Sequence, residues 1–381
     1  MSSVAHSRVS APLELTTMEK ATAYVLTTAS SPPLLMTGAT ANHSRYDELY
    51  SMPAYTLLQS LNRYYTPVII AVGVFGNLLS FVVFIFTYLN TRSSSYYLAA
   101  LALADTLYLL TLLMVWITDM GVNIYHNNGW CQLLIYSSSV CSFLSVWFIV
   151  AFTVERFIAV RYPLHRPSMC TVSRAKMVIA ALTVSGMVMY SYVMWTAGMV
   201  DIENGSGLTA CGLLPVHAYA QSALNHVDTF LTLILPFVTV LVLNVLITIQ
   251  IVHFNRKCVE LEPKFAQQHT NIVSSRTHIS IAKLLLLIST IFILLNTPSY
   301  VIRIHVFVRT LAGGDDDDVG DVMSTTEMLL QSYFNLLYYT NFSVNFVLYS
   351  VCGINFRRAL VRLLREKLGA AEYTKNTHRY K

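Results

Sequence analysis

The stretch that decides the fold is "FLSVWFIVAFTVERFIAVRYPL", residues 143–164. It opens with an uninterrupted apolar run, Phe143 to Phe152, and then places an acid and a base side by side at Glu155 and Arg156. A charge costs free energy wherever it is buried in lipid or protein. The pair therefore marks either the end of an apolar crossing or a place where charge has a task.

Working outward, the 381-residue chain is 55% hydrophobic and only 12% charged, with a mean hydropathy of +0.53. That is too apolar for a surface turned wholly to water. A hydrocarbon layer roughly 30 Å thick needs about 20 apolar helical residues. Seven runs meet this need, approximately Thr66–Leu89, Tyr96–Thr118, Leu133–Val160, Ala175–Gly198, Ser222–His253, Ile279–Phe307 and Met328–Val351. None alternates with the period of two that a barrel strand requires. The fold class expected is an all-α membrane protein, a bundle of seven transmembrane helices over residues 65–352. Residues 1–64 form a polar extracellular segment, largely disordered. They carry no apolar stretch behind a basic start, so the first spanning helix is expected to serve as its own insertion signal.

Orientation follows from Lys and Arg. The connections after the first, third and fifth runs, with the tail, carry Arg92, Arg161, Arg166, Arg174, Lys257 and Arg357, while the other connections are poor in them. The amino terminus is placed outside the plasma membrane and the carboxyl terminus in the cytoplasm. The net charge of +5 reflects this asymmetry and gives no reason to invoke nucleic acid. Acids sort the other way, and the run Asp315–Asp318 makes the outer entrance negative.

Of the six cysteines, Cys131 and Cys211 fall on the outer side, where disulfides persist. One bridge between them is the economical assignment. Asn42 and Asn204 head outward glycosylation sequons; Asn341-Phe342-Ser343 has the pattern but lies within the seventh run, out of reach. After Gly353, "NFRRALVRLLREKL" places Phe356, Leu360, Leu363 and Leu364 on one stripe, so residues 353–368 are read as an amphipathic helix on the inner leaflet, followed by a cytoplasmic tail over 369–381.

Asp105, in "LALADTLYLL", stands near the middle of the second run, where a charge costs about 2.5–3.5 kcal/mol. One reading is a protonated carboxyl bonded to a neighbouring helix. The other gathers Asp105 with Asn77, Ser145, Asn341 and Asn345 as hard oxygen ligands for a small cation such as sodium.

Gly76-Asn77, "LALAD" at 101–105, Cys131 followed by Arg156, "ERF" at 155–157, Pro236, Pro298 and "NFVLY" at 345–349 occur in order along the chain. Together they resemble the helix signatures of rhodopsin-like G-protein-coupled receptors, over about residues 65–368. "SVWFIVAFTVERFIAVRYPL", "NTPSYVIRI" and "YYTNFSVNFVLYSVCGINFRRAL" are similar to stretches of the invertebrate FMRFamide and myosuppressin receptors.

This resemblance implies a non-enzymatic receptor that passes ligand binding to a heterotrimeric G protein, with arrestin as a further cytoplasmic partner. It implies that Glu155 restrains Arg156 at rest, that the freed arginine lines the G-protein cavity, and that Phe157, Phe292, Asn296 and Tyr349 belong to the switching machinery. Pro236 and Pro298 interrupt their helices and make hinges. Several positions depart from the family pattern. Asn296 stands for a usual Trp, Asn244 for a frequent Tyr, Phe346 for a Pro, and His278 for an acid able to hold Arg156.

By the same resemblance the pocket draws on Asp119, Ser138, Asp228, Arg303, Asn335 and Tyr339. Tyr339 stands at the retinal-lysine position and Ser138 at the amine counter-ion position, which excludes an opsin and disfavours a monoamine. Both charge signs among aromatics suit a peptide, specifically a cationic peptide ending in Arg-Phe-amide. Arg303 as an interface snorkel and Asp119 as a helix-end charge are the plainer readings. The alternatives in function are a non-peptide ligand on the same fold and an ion-coupled transporter, although no internal repeat is present. The eleven histidines show no ligand spacing on any intramembrane face, so no metal or enzyme centre is expected.

Overall fold

Peptide groups that cannot reach water must bond within their own segment, so the long apolar runs fold as helices. The computed structural model describes residues 52–122, 124–125, 127–201, 209–217, 220, 223–224, 227–261, 269–312 and 324–379. The principal helices are α1 Pro53–Phe86, α2 Ser93–Asp119, α3 Trp130–Arg161, α4 Val172–Met189, α5 Leu235–Leu261, α6 His269–Ala312, α7 Thr325–Cys352 and α8 Ile354–Arg379. Helix α1 packs on α2 and α7, α2 on α3, α3 on α5, and α6 on α7, closing a bundle.

Six helical stretches among the described residues are long and apolar enough to cross a membrane. The seventh, α7, is more polar because Gln331, Ser332, Asn335, Asn341, Ser343 and Asn345 turn into the bundle, where all are buried. No charged residue interrupts it between Met328 and Cys352.

Several extents differ from those expected; α6, for instance, runs His269–Ala312 and α5 reaches Leu261. Helix α1 starts at Pro53, well before Thr66, because a proline is pre-set for the first turn and Tyr55 and Leu58 bury against α7. The Tyr333 hydroxyl also donates to the Ala54 carbonyl at 2.5 Å. Helix α4 stops at Met189 rather than near Gly198. The chain then makes one short turn, Val193–Thr196, and enters a strand, β1 Ala197–Asp201, which pairs antiparallel with β2 Thr209–Leu213. In that register Met199 faces Cys211, and the Cys131–Cys211 disulfide fastens β2 to the first turn of α3, with a Cα–Cα separation of 5.5 Å. The amphipathic helix α8 runs on to Arg379.

Glycines permit close approach between helices. A Cβ on Gly186 of α4 would come within 2.9 Å of the Phe143 ring, and one on Gly76 of α1 within 2.7 Å of the Phe346 Cβ of α7. In α8, Phe356 and Ala359 bury against Phe84 and Tyr349, anchoring the helix beneath the bundle.

Candidate functional site

The outer cavity begins at a break in helical pitch. Residues Thr229–Ile234 form a π-turn just before Pro236, and the Leu235 N–H donates to the Phe230 carbonyl five residues back. Continuing that spacing, the Leu231 carbonyl faces residue 236, a proline with no N–H to offer. The indole of Trp147 on α3 donates to it instead, at 3.2 Å. The turn thus holds Asp228 inward at its head, where the carboxylate is buried and accepts from the Tyr190 hydroxyl.

Across from Asp228 lie Arg303 and Tyr300 of α6, Tyr338 of α7 and Ser142 of α3, around a cavity of about 20 Å³. The hydroxyls of Ser142 and Tyr338 are 2.5 Å apart. This space holds little more than one water, which needs about 10–15 Å³. Whatever enters first is therefore narrow, such as one side chain or a chain end.

The other expected pocket residues spread around this centre. Asn335 joins a buried network in which Gln331 Nε2 donates to both Asn335 Oδ1 and Ser299 Oγ at 2.8 Å. Asp119 lies at the outer end of α2, accepting from Asn62 at 3.4 Å, while Asn62 accepts from Thr66 at 2.9 Å. Ser138 is bonded back to the Ile135 carbonyl of its own helix. Tyr339 packs against Tyr108 on the α1–α2–α7 side, and its neighbour Tyr338 lines the cavity. Asp228 and Arg303 are brought together; Asp119 and Ser138 are half-buried elsewhere, and Tyr339 is buried in the core cluster of α1, α2 and α7.

At mid-depth Asp105 is fully buried. The Ser145 hydroxyl donates to one of its oxygens and Asn345 Nδ2 to the other, each at 2.7 Å. Asn341 is buried but makes no bond to this carboxylate. Asn77 donates to the Phe342 carbonyl at 2.7 Å, and its own amide oxygen is buried without a partner among the described residues. Carboxylate, hydroxyl and amide oxygens of this kind fit a small hard cation, provided Asn345 turns its oxygen inward. Among the described residues no three His, Cys, Asp or Glu side chains could hold a metal.

Toward the α8 end of the bundle, Phe292 packs with Val146 and Val240 in one buried cluster, and Phe157 packs on Ile247 and Ile251. Asn296 is fully buried; its Nδ2 donates to the Phe292 carbonyl at 2.6 Å, one turn back, close to where Pro298 interrupts α6. Glu155 has the Ser93 hydroxyl as its bonding neighbour, and Arg156 lies over the Phe152 ring at 5.4 Å. Among the described residues no ion pair within 4 Å joins Glu155 to Arg156. Tyr349 is buried edge-on to Phe84.

At the outer end of α7, Ser324 and Glu327 form a reciprocal capping box, and Arg309 and His305 of α6 reach Glu327. Burial pushes the Glu327 carboxyl up, but bonds from the Ser324 N–H and hydroxyl, with the charges of Arg309 and His305, outweigh it and hold the group below its ordinary value. The sequons at Asn42 and Asn204, the run Asp315–Asp318 and the side chain of His278 lie outside the described residues. Asn341-Phe342-Ser343 is buried in α7, as its place in the seventh run implied.

Tyr190, Ser142, Tyr338 and Trp147 were not among the residues expected here. The π-turn shifts which faces of α5 and its neighbours meet, and neither periodicity nor a short motif records such a shift. The signal that could have found Tyr338 is its adjacency to Tyr339, two rings about 100° apart on one helix.

A family model described as 7 transmembrane receptor (rhodopsin family) matches residues 76–349. Relatives include the FMRFamide receptor of Drosophila melanogaster, 25% identical over 75% of this chain and 50% of that receptor. The human growth hormone secretagogue receptor type 1 is 27% identical over 77% of each chain, and the Mus musculus cysteinyl leukotriene receptor 1 is 25% identical over 80% and 82%. The matched part of the chain spans about half the length of the FMRFamide receptor and 41% of the human neurotensin receptor type 1.

Proposed function

The chain belongs to the rhodopsin family of seven-transmembrane receptors, and from that premise we propose that it is a receptor for an amidated, cationic neuropeptide. The observation that carries the reading is the buried meeting of Asp228 and Arg303 among Tyr190, Tyr300 and Tyr338. A carboxylate can take a ligand guanidinium, a guanidinium can take a carbonyl or amide oxygen, and the rings cover an aromatic side chain. Two relatives are named for peptides, FMRFamide and neurotensin, which supports this ligand class. A third is named for a cysteinyl leukotriene, the non-peptide alternative.

In this proposal the polar segment 1–64 lies outside, the tail follows α8 into the cytoplasm, and the plasma membrane holds the bundle at residues 65–352. Asp119, Ser138, Asn335 and Tyr339 contact outer parts of the peptide. Binding between α5, α6 and α7 is passed through Pro236, Phe292, Asn296 and Pro298 to Glu155, Arg156, Phe157 and Tyr349, which meet the G protein and then arrestin. Asp105, Ser145, Asn341 and Asn345 form a seat for sodium that favours the resting arrangement. By linkage, sodium then weakens agonist by about 1–3 kcal/mol.

The test is a panel of amidated peptides on cells expressing the chain with a promiscuous G protein, each peptide paired with an analogue whose arginine is replaced by citrulline. Full response to the uncharged analogues, or to a non-peptide alone, would overturn the peptide reading. Sodium is tested by agonist affinity against an impermeant organic cation at equal ionic strength. An identical response in Asp105→Asn would leave Asp105 as a structural acid.

A further inference from the structure

Beneath the bundle, α1, α2, α3, α7 and the start of α8 line a cavity of about 90 Å³. One water needs about 10–15 Å³, so the space accepts a group several times larger. Two residues that line it, Arg156 and Tyr349, each carry a buried polar atom with no hydrogen-bond partner among the described residues: the Arg156 Nε and the Tyr349 hydroxyl. Arg156 is 7% exposed, and a buried donor atom without a partner is costly.

Charges of both signs surround Arg156, Glu155 bearing on it most. Arg92, half-buried, lines the same cavity, and Arg92 and Arg166 both bear on Arg156 as like charges. The single opposing acid is Glu155, which has Ser93 for a neighbour. Arg357 is already engaged, donating to the Val351 and Ser350 carbonyls at the end of α7.

The floor of the cavity is the amino-terminal turn of α8, with Gly353, Ile354 and Asn355 on its lining. The first N–H groups of a helix have no carbonyl partner within it, and the helix dipole adds positive potential there. Gly353 lets this turn sit close under α7, since a Cβ would meet the Tyr349 carbonyl oxygen at 2.5 Å. The upper walls, Phe84, Leu98, Phe152 and Phe356, are apolar.

We infer that this cavity binds a phosphate-bearing anion, held between Arg156 and Arg92 over the amino-terminal turn of α8. Arg156 and the Tyr349 hydroxyl donate to its oxygens, and the apolar walls accept the chain beside the phosphate. The same chemistry is offered by a phosphoinositide of the inner leaflet and by a soluble inositol phosphate. On the reading of Arg156 as the residue that meets the G protein, the bound anion occupies the arginine and favours the resting receptor.

Cys352 lines the cavity and is exposed, so it reports occupancy without any G protein. The full receptor in phosphatidylcholine nanodiscs is treated with a small thiol reagent, and labelling of Cys352 is followed by mass spectrometry. One arm adds inositol trisphosphate and another incorporates phosphatidylinositol bisphosphate. At ten times the half-protecting concentration labelling should slow about tenfold, as simple occupancy requires. Protection by the soluble compound assigns the site to a free phosphate ester; protection by the lipid alone assigns it to the membrane.

Arg92→Gln should lose most of the protection, and Ser94→Trp, which fills the space, should lose it all. The arginines of α8 are intact in every arm, so general attraction to an acidic membrane cancels. No protection in either arm, or protection unchanged in both variants, would overturn the site. An Arg156→Ala receptor that signals normally would instead overturn the role of Arg156 in coupling, while Cys352 protection in the native chain still stands.

Discussion

At the outer end, Tyr190 donates to Asp228, Ser142 meets Tyr338, and Gln331 Nε2 bonds both Ser299 and Asn335, while Gln331 Oε1 and Trp116 Nε1 are buried and unmet among the described residues. At the inner end, Arg156 Nε and the Tyr349 hydroxyl are buried and unmet among the described residues. A satisfied network specifies one arrangement, and an unsatisfied one is stabilised by whatever arrives to complete it. The outer half is also tied by the disulfide and by the capping box of α7. The contrast is between a bonded carboxylate, Asp228, and an arginine, Arg156, whose Nε has no hydrogen-bond partner among the described residues.

The strongest way to break this contrast is Arg156→Ala. Nucleotide exchange should fall to the unstimulated level, while peptide binding to the same membranes stays near normal. Next, Asp228→Asn should weaken a cationic peptide by about 2–5 kcal/mol, as for a desolvated charge pair, read by competition binding. Cys131→Ser and Cys211→Ser should each cost about 2–4 kcal/mol and reduce surface expression and ligand binding together; native binding in both would detach the hairpin from the pocket.

Trp147→Phe keeps a ring and removes the N–H, leaving the Leu231 carbonyl without its donor. A loss of about 1–3 kcal/mol in thermal unfolding is expected, and none if water replaces the indole freely. The smallest effect concerns Glu327. Its folded value lies below the unfolded one, so its contribution is present above about pH 4.3 and fades as pH falls through the folded value. The difference in melting temperature between the native chain and Glu327→Gln should shrink from about pH 6 to about pH 3. A difference that holds constant would mean that the carboxylate adds nothing there.

The bundle was legible because a 30 Å apolar layer imposes its length on any helix that crosses it. The bridge was legible because only two cysteines share the oxidising side. Asp105 with Ser145 and Asn345 was legible because charge at mid-depth is rare enough to demand company. What escaped notice has a common cause. The turn after α4 and the π-turn before α5 change the phase of a helix without changing its composition. Tyr190 and Tyr338 consequently entered the cavity unannounced, while Tyr339, one residue along, turned to Tyr108. The early start of α1 escaped because Pro53–Tyr65 is held by contacts with α7 rather than by its own hydropathy.

One consequence remains in α7. With Phe346 where the family usually carries proline, all 28 residues from Thr325 to Cys352 keep an unbroken ladder of backbone bonds. Such a rod is about 42 Å long and has no joint along it. It must move as a lever, and Gly76, which lets Phe346 bear directly on α1, offers the fulcrum. Pivoting at Phe346, a tilt of about 5° that swings the Thr325 end by about 3 Å moves the Cys352 end by about 1 Å the other way. That shorter stroke falls on the Tyr349–Gly353 corner, so motion that a proline would absorb locally reaches α8, scaled down by the unequal arms.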